Sequence, residues 1–132
     1  MRTFLLVTDG YLVGLAVVVG IVVYPAFSAV GINEWPSYHQ RHSSAISVAV
    51  APAWLLQGLL CAAWIVSGPE RVLAFTHGLF ALLGVLVTVL GAVPQHNAIS
   101  AERTSSHLGR LQLWHWVRTV LWIGALVCAS AL

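Results

Sequence analysis

Histidine and arginine are scarce in apolar sequence, yet here they gather. His39, His42, His96, His107 and His115 are five of the chain's six histidines, and Arg118 follows close behind the last. Neutral imidazole binds Cu, Fe, Zn and Ni through a ring nitrogen, and it also serves as general acid or base near neutral pH. An arginine beside such groups stabilises negative charge on a substrate or an intermediate. Polar side chains at one depth in a membrane mark a site by default, because each is costly to place there.

Three short segments carry these residues. In Tyr38-His39-Gln40-Arg41-His42, an early helix start would put His39 and His42 at i and i+3 on one face, close enough to share a metal. An interfacial loop facing headgroups is the plainer alternative. In Val93-Pro94-Gln95-His96-Asn97, the proline is expected to stop a helix and turn His96 and Asn97 across the bundle mouth. Helix capping would explain the same pair. In the last segment His115, Arg118, Thr119 and Trp122 fall at i, i+3, i+4 and i+7, one face of a helix. Arg118 lies about two turns into an apolar run, so it must snorkel or find a partner. Glu34 or Glu102 could reach it, and so could an anionic or carbonyl-bearing ligand.

These residues give His39, His42, His96 and His115 as candidate metal ligands, with Cu or Fe favoured over Zn. His115, Arg118 and Asn97 are the candidates for chemistry. Trp114, Trp116, Trp122 and Tyr38 would give flat walls to an aromatic or isoprenoid substrate, although tryptophan also lines membrane surfaces without any such role. Haem fits less well, since the histidines sit at helix ends. A metal-free site with His96 or His115 as base stays open, and His107 has no certain place.

The elements that must hold these residues follow from composition. The chain has 132 residues, 59% hydrophobic and 8% charged, with a mean hydropathy of +0.88. A soluble domain cannot hide that much apolar surface. Four apolar runs, roughly residues 5–29, 45–66, 72–93 and 111–132, each reach the ~20 residues that cross a hydrocarbon core. Spans in lipid must satisfy their own backbone, so helices are expected. The result is an all-α, up-down-up-down integral membrane bundle forming one domain over residues 1–132. Ser67-Gly68-Pro69-Glu70 is a tight turn between neighbours. Residues 30–44 and 94–110 read as two long polar loops on one side, which therefore collects the histidines.

Further expectations concern packing and the opposite side. The first apolar run is too long for a signal peptide and contains Asp9, so it reads as a retained helix. Asp9 and His77 sit at matched depth and could pair, which reads as a structural polar pair, with a second active site as the alternative. Gly10 with Gly14, and Ala45 with Ala49 and Ala53, have the spacing of close helix contacts. Pro25 and Pro52 are expected to kink their helices and open room for a pocket. Cys61 and Cys128 read as two buried thiols, with a single bridge as the alternative. A net charge of +2 gives no footprint for nucleic acid. The arginine balance leans the histidine side toward the cytoplasm of a bacterial inner membrane, and homo-oligomers are compatible with all of this.

The motifs Val93-Pro94-Gln95-His96-Asn97 and Trp114-His115-Trp116-Val117-Arg118-Thr119 resemble those of the DUF1772 group, small four-helix membrane proteins with anthrone-oxygenase-like members. A looser likeness covers residues 35–57, where bacterial relatives carry Tyr-His-x-x-His before a proline-bearing helix. The resemblance implies a four-helix bundle that oxygenates phenolic polycyclic substrates, with His96, Asn97, His115, Trp116 and Arg118 lining the site. This chain has more histidine on that side than a cofactor-independent oxygenase needs. The functional expectation is a membrane oxidoreductase or oxygenase acting on a lipophilic molecule. The alternative is a non-enzymatic protein binding metal, haem or another ligand, or a subunit of a larger complex.

Overall fold

A computed structural model describes all residues, 1–132, as four long helices and no strands: α1 (Arg2–Ala29), α2 (Trp35–Ser67), α3 (Arg71–Ala101) and α4 (Ser105–Ser130). All four are long and apolar enough to cross a membrane, and together they make an all-α bundle that fits an integral membrane protein. Only 29 of 132 residues are buried. The outward faces carry exposed Val, Leu, Ile and Phe, which lipid must solvate.

α1 and α3 share a local device. Each contains a π turn, Val19–Val23 in α1 and Thr88–Ala92 in α3, just before a proline. Proline lacks an N–H and its ring crowds the carbonyl four residues back. Here the residue before each proline reaches one residue further: Tyr24 N–H donates to the Val19 carbonyl, and Val93 N–H to that of Thr88. The wider turn admits the ring without ending the helix. Pro94 therefore does not stop α3, which continues to Ala101.

The π turns also receive α4. A Cβ on Gly20 would lie 2.8 Å from the Trp116 ring and 2.9 Å from His115 Nε2, and one on Gly91 would lie 2.5 Å from the Trp114 ring. Only glycine lets the backbone come that close. Trp114-His115-Trp116 thus wedges between α1 and α3. Gln112 adds a bond to the Gly20 carbonyl at 2.7 Å.

On the histidine side, the two expected long loops are mostly helix. α2 begins at Trp35 with Pro36 in its first turn, a position where the missing N–H costs nothing. α4 begins at Ser105, where the Thr104 hydroxyl accepts the His107 N–H at 3.1 Å, so His107 belongs to a capped first turn. Residues 30–34 and 102–104 alone make the connections. The Trp35 indole donates to the Ile99 carbonyl at 2.8 Å, and Arg103 to that of Phe27 at 2.7 Å while lying 4.6 Å over the Trp35 ring.

At the other end, Glu70 takes a left-handed conformation with φ 56° in the tight turn, and the Trp64 indole donates to the Pro69 carbonyl at 2.8 Å. The glycine row Gly10 and Gly14 meets nothing within 4 Å, so close packing occurs at Gly20, Gly84, Gly91 and Gly124 instead. Gly91→Ala presses a methyl onto Trp114 and should lower thermal stability by about 1–3 kcal/mol, the usual range for overpacking. Gly10→Ala meets open space and should leave the Tm unchanged or raise it. Equal melting temperatures for the two variants would remove Trp114 from the α3 turn.

Candidate functional site

A chain of hydrogen bonds crosses the bundle beneath the histidine side. His115, fully buried, donates from Nε2 to the Ala16 carbonyl at 2.8 Å. Its Nδ1 must then accept, and the Arg118 Nη2 donates to it at 2.8 Å. The same guanidinium nitrogen donates to the Tyr24 hydroxyl at 3.2 Å. Tyr24 lies 3.0 Å from His96 Nε2, and His96 Nδ1 lies 3.1 Å from His39 Nε2. One polarity satisfies every link: Tyr24 accepts from Arg118 and donates to His96, which donates in turn to His39. α1 supplies Tyr24, α2 His39, α3 His96, and α4 both His115 and Arg118.

Arg118 has no carboxylate partner. The Asp9–His77 contact is the sole acid–base pair of ion-pair type in the molecule. Glu34 and Glu102, the candidate partners, are both exposed. Trp122 stacks 5.6 Å from the guanidinium, whose Nε is buried with no acceptor. A cation held this way in lipid favours a ligand that brings negative charge or a carbonyl oxygen.

Such a ligand has a place. A cavity of about 440 Å³ lies between α2 and α3, lined by Tyr24, His39, His96, Asn97 and Arg118 at its polar end. Ile46, Val50, Trp54, Val89 and Val93 form apolar walls. Val89 and Val93 are exposed on the outer surface, so the cavity communicates with the lipid side. Pro52 falls inside α2, between the cavity-lining Ala51 and Trp54.

The sequence-derived candidates divide accordingly. His39, His96, Asn97 and Arg118 meet at the cavity. His115 stands behind Arg118 with both ring nitrogens engaged. His42 lies beside the group, its ring centroid 6.1 Å from that of His96 and its Nε2 buried without a partner. No three His, Cys, Asp or Glu side chains converge as metal ligands; Tyr24 separates His115 from His96, with ring centroids 4.9 and 5.6 Å away.

The expected substrate walls are placed elsewhere. Trp114 and Trp116 fill the glycine turns, Trp122 packs over Gly84, and Tyr38 stacks on Trp35. Trp54 takes the wall position in their stead. Tyr24 and Trp54 are the residues that sequence reasoning missed. A buried tyrosine needs a polar partner, and Tyr24 beside Pro25 was the available clue.

Comparison with protein-family models, with curated proteins and with solved structures gave no match. The motif likeness therefore stands on its own residues, of which His96, Asn97 and Arg118 reach the cavity.

The bonding pattern fixes the His115 tautomer. Imidazole ¹⁵N spectra should show His115 protonated at Nε2 and bare at Nδ1, with the Nδ1 resonance moving in Arg118→Gln. A proton on Nδ1 in the wild type would dissolve the link to Arg118.

Proposed function

We propose that the protein is a membrane oxidoreductase of oxygenase type, taking a lipophilic aromatic or isoprenoid-like molecule from the bilayer into the groove between α2 and α3. One observation carries this reading: a guanidinium without a carboxylate faces an apolar cavity beside a tyrosine and two linked histidines. A phenol or ketone headgroup suits that end, and hydrocarbon suits the walls.

The residues then have distinct tasks. Arg118 holds the headgroup oxygen and stabilises the anion formed when an activated substrate loses a proton. That proton passes to the Tyr24 oxygen as the Tyr24 proton moves to His96, and the His96 Nδ1 proton to His39, nearest the start of α2. His115 positions Arg118 and stays out of the relay. Dioxygen is the oxidant, and an activated methylene plus dioxygen gives a carbonyl and water. The arginine balance leans toward the cytoplasmic face for the relay's outlet.

A second reading is favoured by the unpartnered Nε2 of His42. Turned toward its neighbours, His42 would join His39 and His96 in holding Cu, Fe or Zn, and such a metal would supply oxygen activation or Lewis acidity. Both ring nitrogens of His115 are engaged, and His96 would have to give up its bond to Tyr24 or to His39 to join the metal.

Protein purified into lipid nanodiscs decides between these. Oxygen uptake is measured with anthrone and alkylphenol probes, alongside elemental analysis and mass spectrometry of extracted lipids. Tyr24→Phe and His96→Gln should each lower turnover by about 100-fold or more, the range for lost proton transfer, and Arg118→Gln should lose the co-purifying ligand. Near-stoichiometric metal that disappears in His42→Ala would establish the second reading. A retained ligand without oxygen uptake would leave a binding protein.

A further inference from the structure

A second cavity, of about 550 Å³, lies between α2 and α3 on the far side of Trp54 from Arg118. α2 presents Gln57, Gly58 and Cys61 to it, and α3 presents Phe75, Leu79 and Leu82. The three α3 side chains are also exposed on the outer surface, so the cavity opens to the bilayer. No charged residue lines it. The two helices touch at Gly78, where a Cβ would lie 3.0 Å from the Cys61 sulfur, yet a Cβ on Gly58 would meet nothing within 4 Å. Glycine inside a helix is costly relative to alanine, and at Gly58 no neighbour requires it. Its effect is to leave the cavity open.

Gln57 brings a hydrogen-bond acceptor to this apolar space. The expected Asp9–His77 pair forms behind it: Asp9 Oδ2 accepts from His77 Nε2 at 2.9 Å, and Oδ1 accepts from Gln57 Nε2 at 2.8 Å. All three residues are buried, at 0%, 0% and 2% exposure. Because Asp9 Oδ1 accepts, the Gln57 amide must present Nε2 to it and turn Oε1 away. Oε1 makes no hydrogen bond, and unlike His77 Nδ1 it is not sealed within the protein. The open space that Gln57 meets is the cavity it lines. A bare amide oxygen in hydrocarbon is costly, so the cavity favours a guest that donates a hydrogen bond.

We propose that this cavity binds a neutral lipophilic alcohol, its hydroxyl donating to Gln57 Oε1 and its hydrocarbon lying along Phe75, Leu79 and Leu82. Phosphate and carboxylate headgroups find no counter-charge in the lining. An ester or ketone brings only acceptors to a place where an acceptor already waits. An alcohol supplies the missing donor, and the rest of the lining suits its chain. The site is separate from the one at Arg118 and does not depend on any oxidation there. Cys61, one turn beyond Gln57 on the same face of α2, gives a reporter of the guest. Both cysteines are free and buried, and Cys128 lines neither cavity.

Farnesol and farnesyl methyl ether, which lacks the donor, are the probes, each titrated into the full chain in nanodiscs. Binding is read from the infrared S–H stretch of Cys61, with that of Cys128 as the internal reference. Farnesol should shift the Cys61 band alone and bind about five-fold or more tightly than the ether, the scale of one hydrogen bond. Gln57→Leu should bring farnesol down to the affinity of the ether. Gly58→Leu fills the cavity without touching the Gln57–Asp9 bond and should abolish the response, which tests the site even where Gln57→Leu fails to fold. Arg118→Gln should leave the response intact. Equal binding of alcohol and ether would overturn the proposal, as would a Cys61 band unmoved by farnesol. A response that survives Gly58→Leu, or one lost in Arg118→Gln, would place the alcohol elsewhere and overturn it too.

Discussion

Two π turns govern much of what this bundle can do. Each lets a helix pass a proline unbroken, and each places a glycine where α4 comes closest. The wedge Trp114-His115-Trp116 depends on both. With α4 drawn in, His115 reaches the Ala16 carbonyl and Arg118 is lowered to the level of Tyr24. Tyr24 itself is the residue that closes the α1 turn. The turns that look like irregularities therefore build the polar chain, in keeping with the frequent occurrence of π bulges at functional sites.

Lipid makes that chain consequential. A polar group in hydrocarbon has no water to fall back on, so every unpaired donor is costly. His115, Tyr24 and His96 are paired along the chain, and Arg118 is paired at Nη2 alone. The imbalance is local, lies against a cavity, and has a definite sign: donors outnumber acceptors. The Asp9–Gln57–His77 cluster has a different imbalance, a buried imidazole nitrogen left without a partner.

Much of the frame could be read from sequence because apolar runs of membrane length leave few alternatives. The spans, the tight turn at Gly68, the Asp9–His77 pair and the meeting of His39 with His96 all followed from depth and side. The helix ends did not. Pro94 carries the ordinary mark of a helix stop, and only the hydrogen-bond shift at Thr88 shows otherwise. Nor does type alone separate a tryptophan that fills a glycine notch, as Trp114 does, from one that faces a cavity, as Trp54 does. Gln57 was passed over as one polar residue in an apolar run, although its depth matches that of Asp9. The small-residue row at Gly10 misled for a related reason: spacing permits close approach, but a partner must be there to take it.

Trp54 borders both cavities between α2 and α3. On the proposed function, a short molecule held at Arg118 would end before this ring, whereas one with a long hydrocarbon tail would run past it into the second cavity. Chain length would then decide whether the two ends of the groove are occupied independently or by one guest, so that Trp54 acts as a ruler between them.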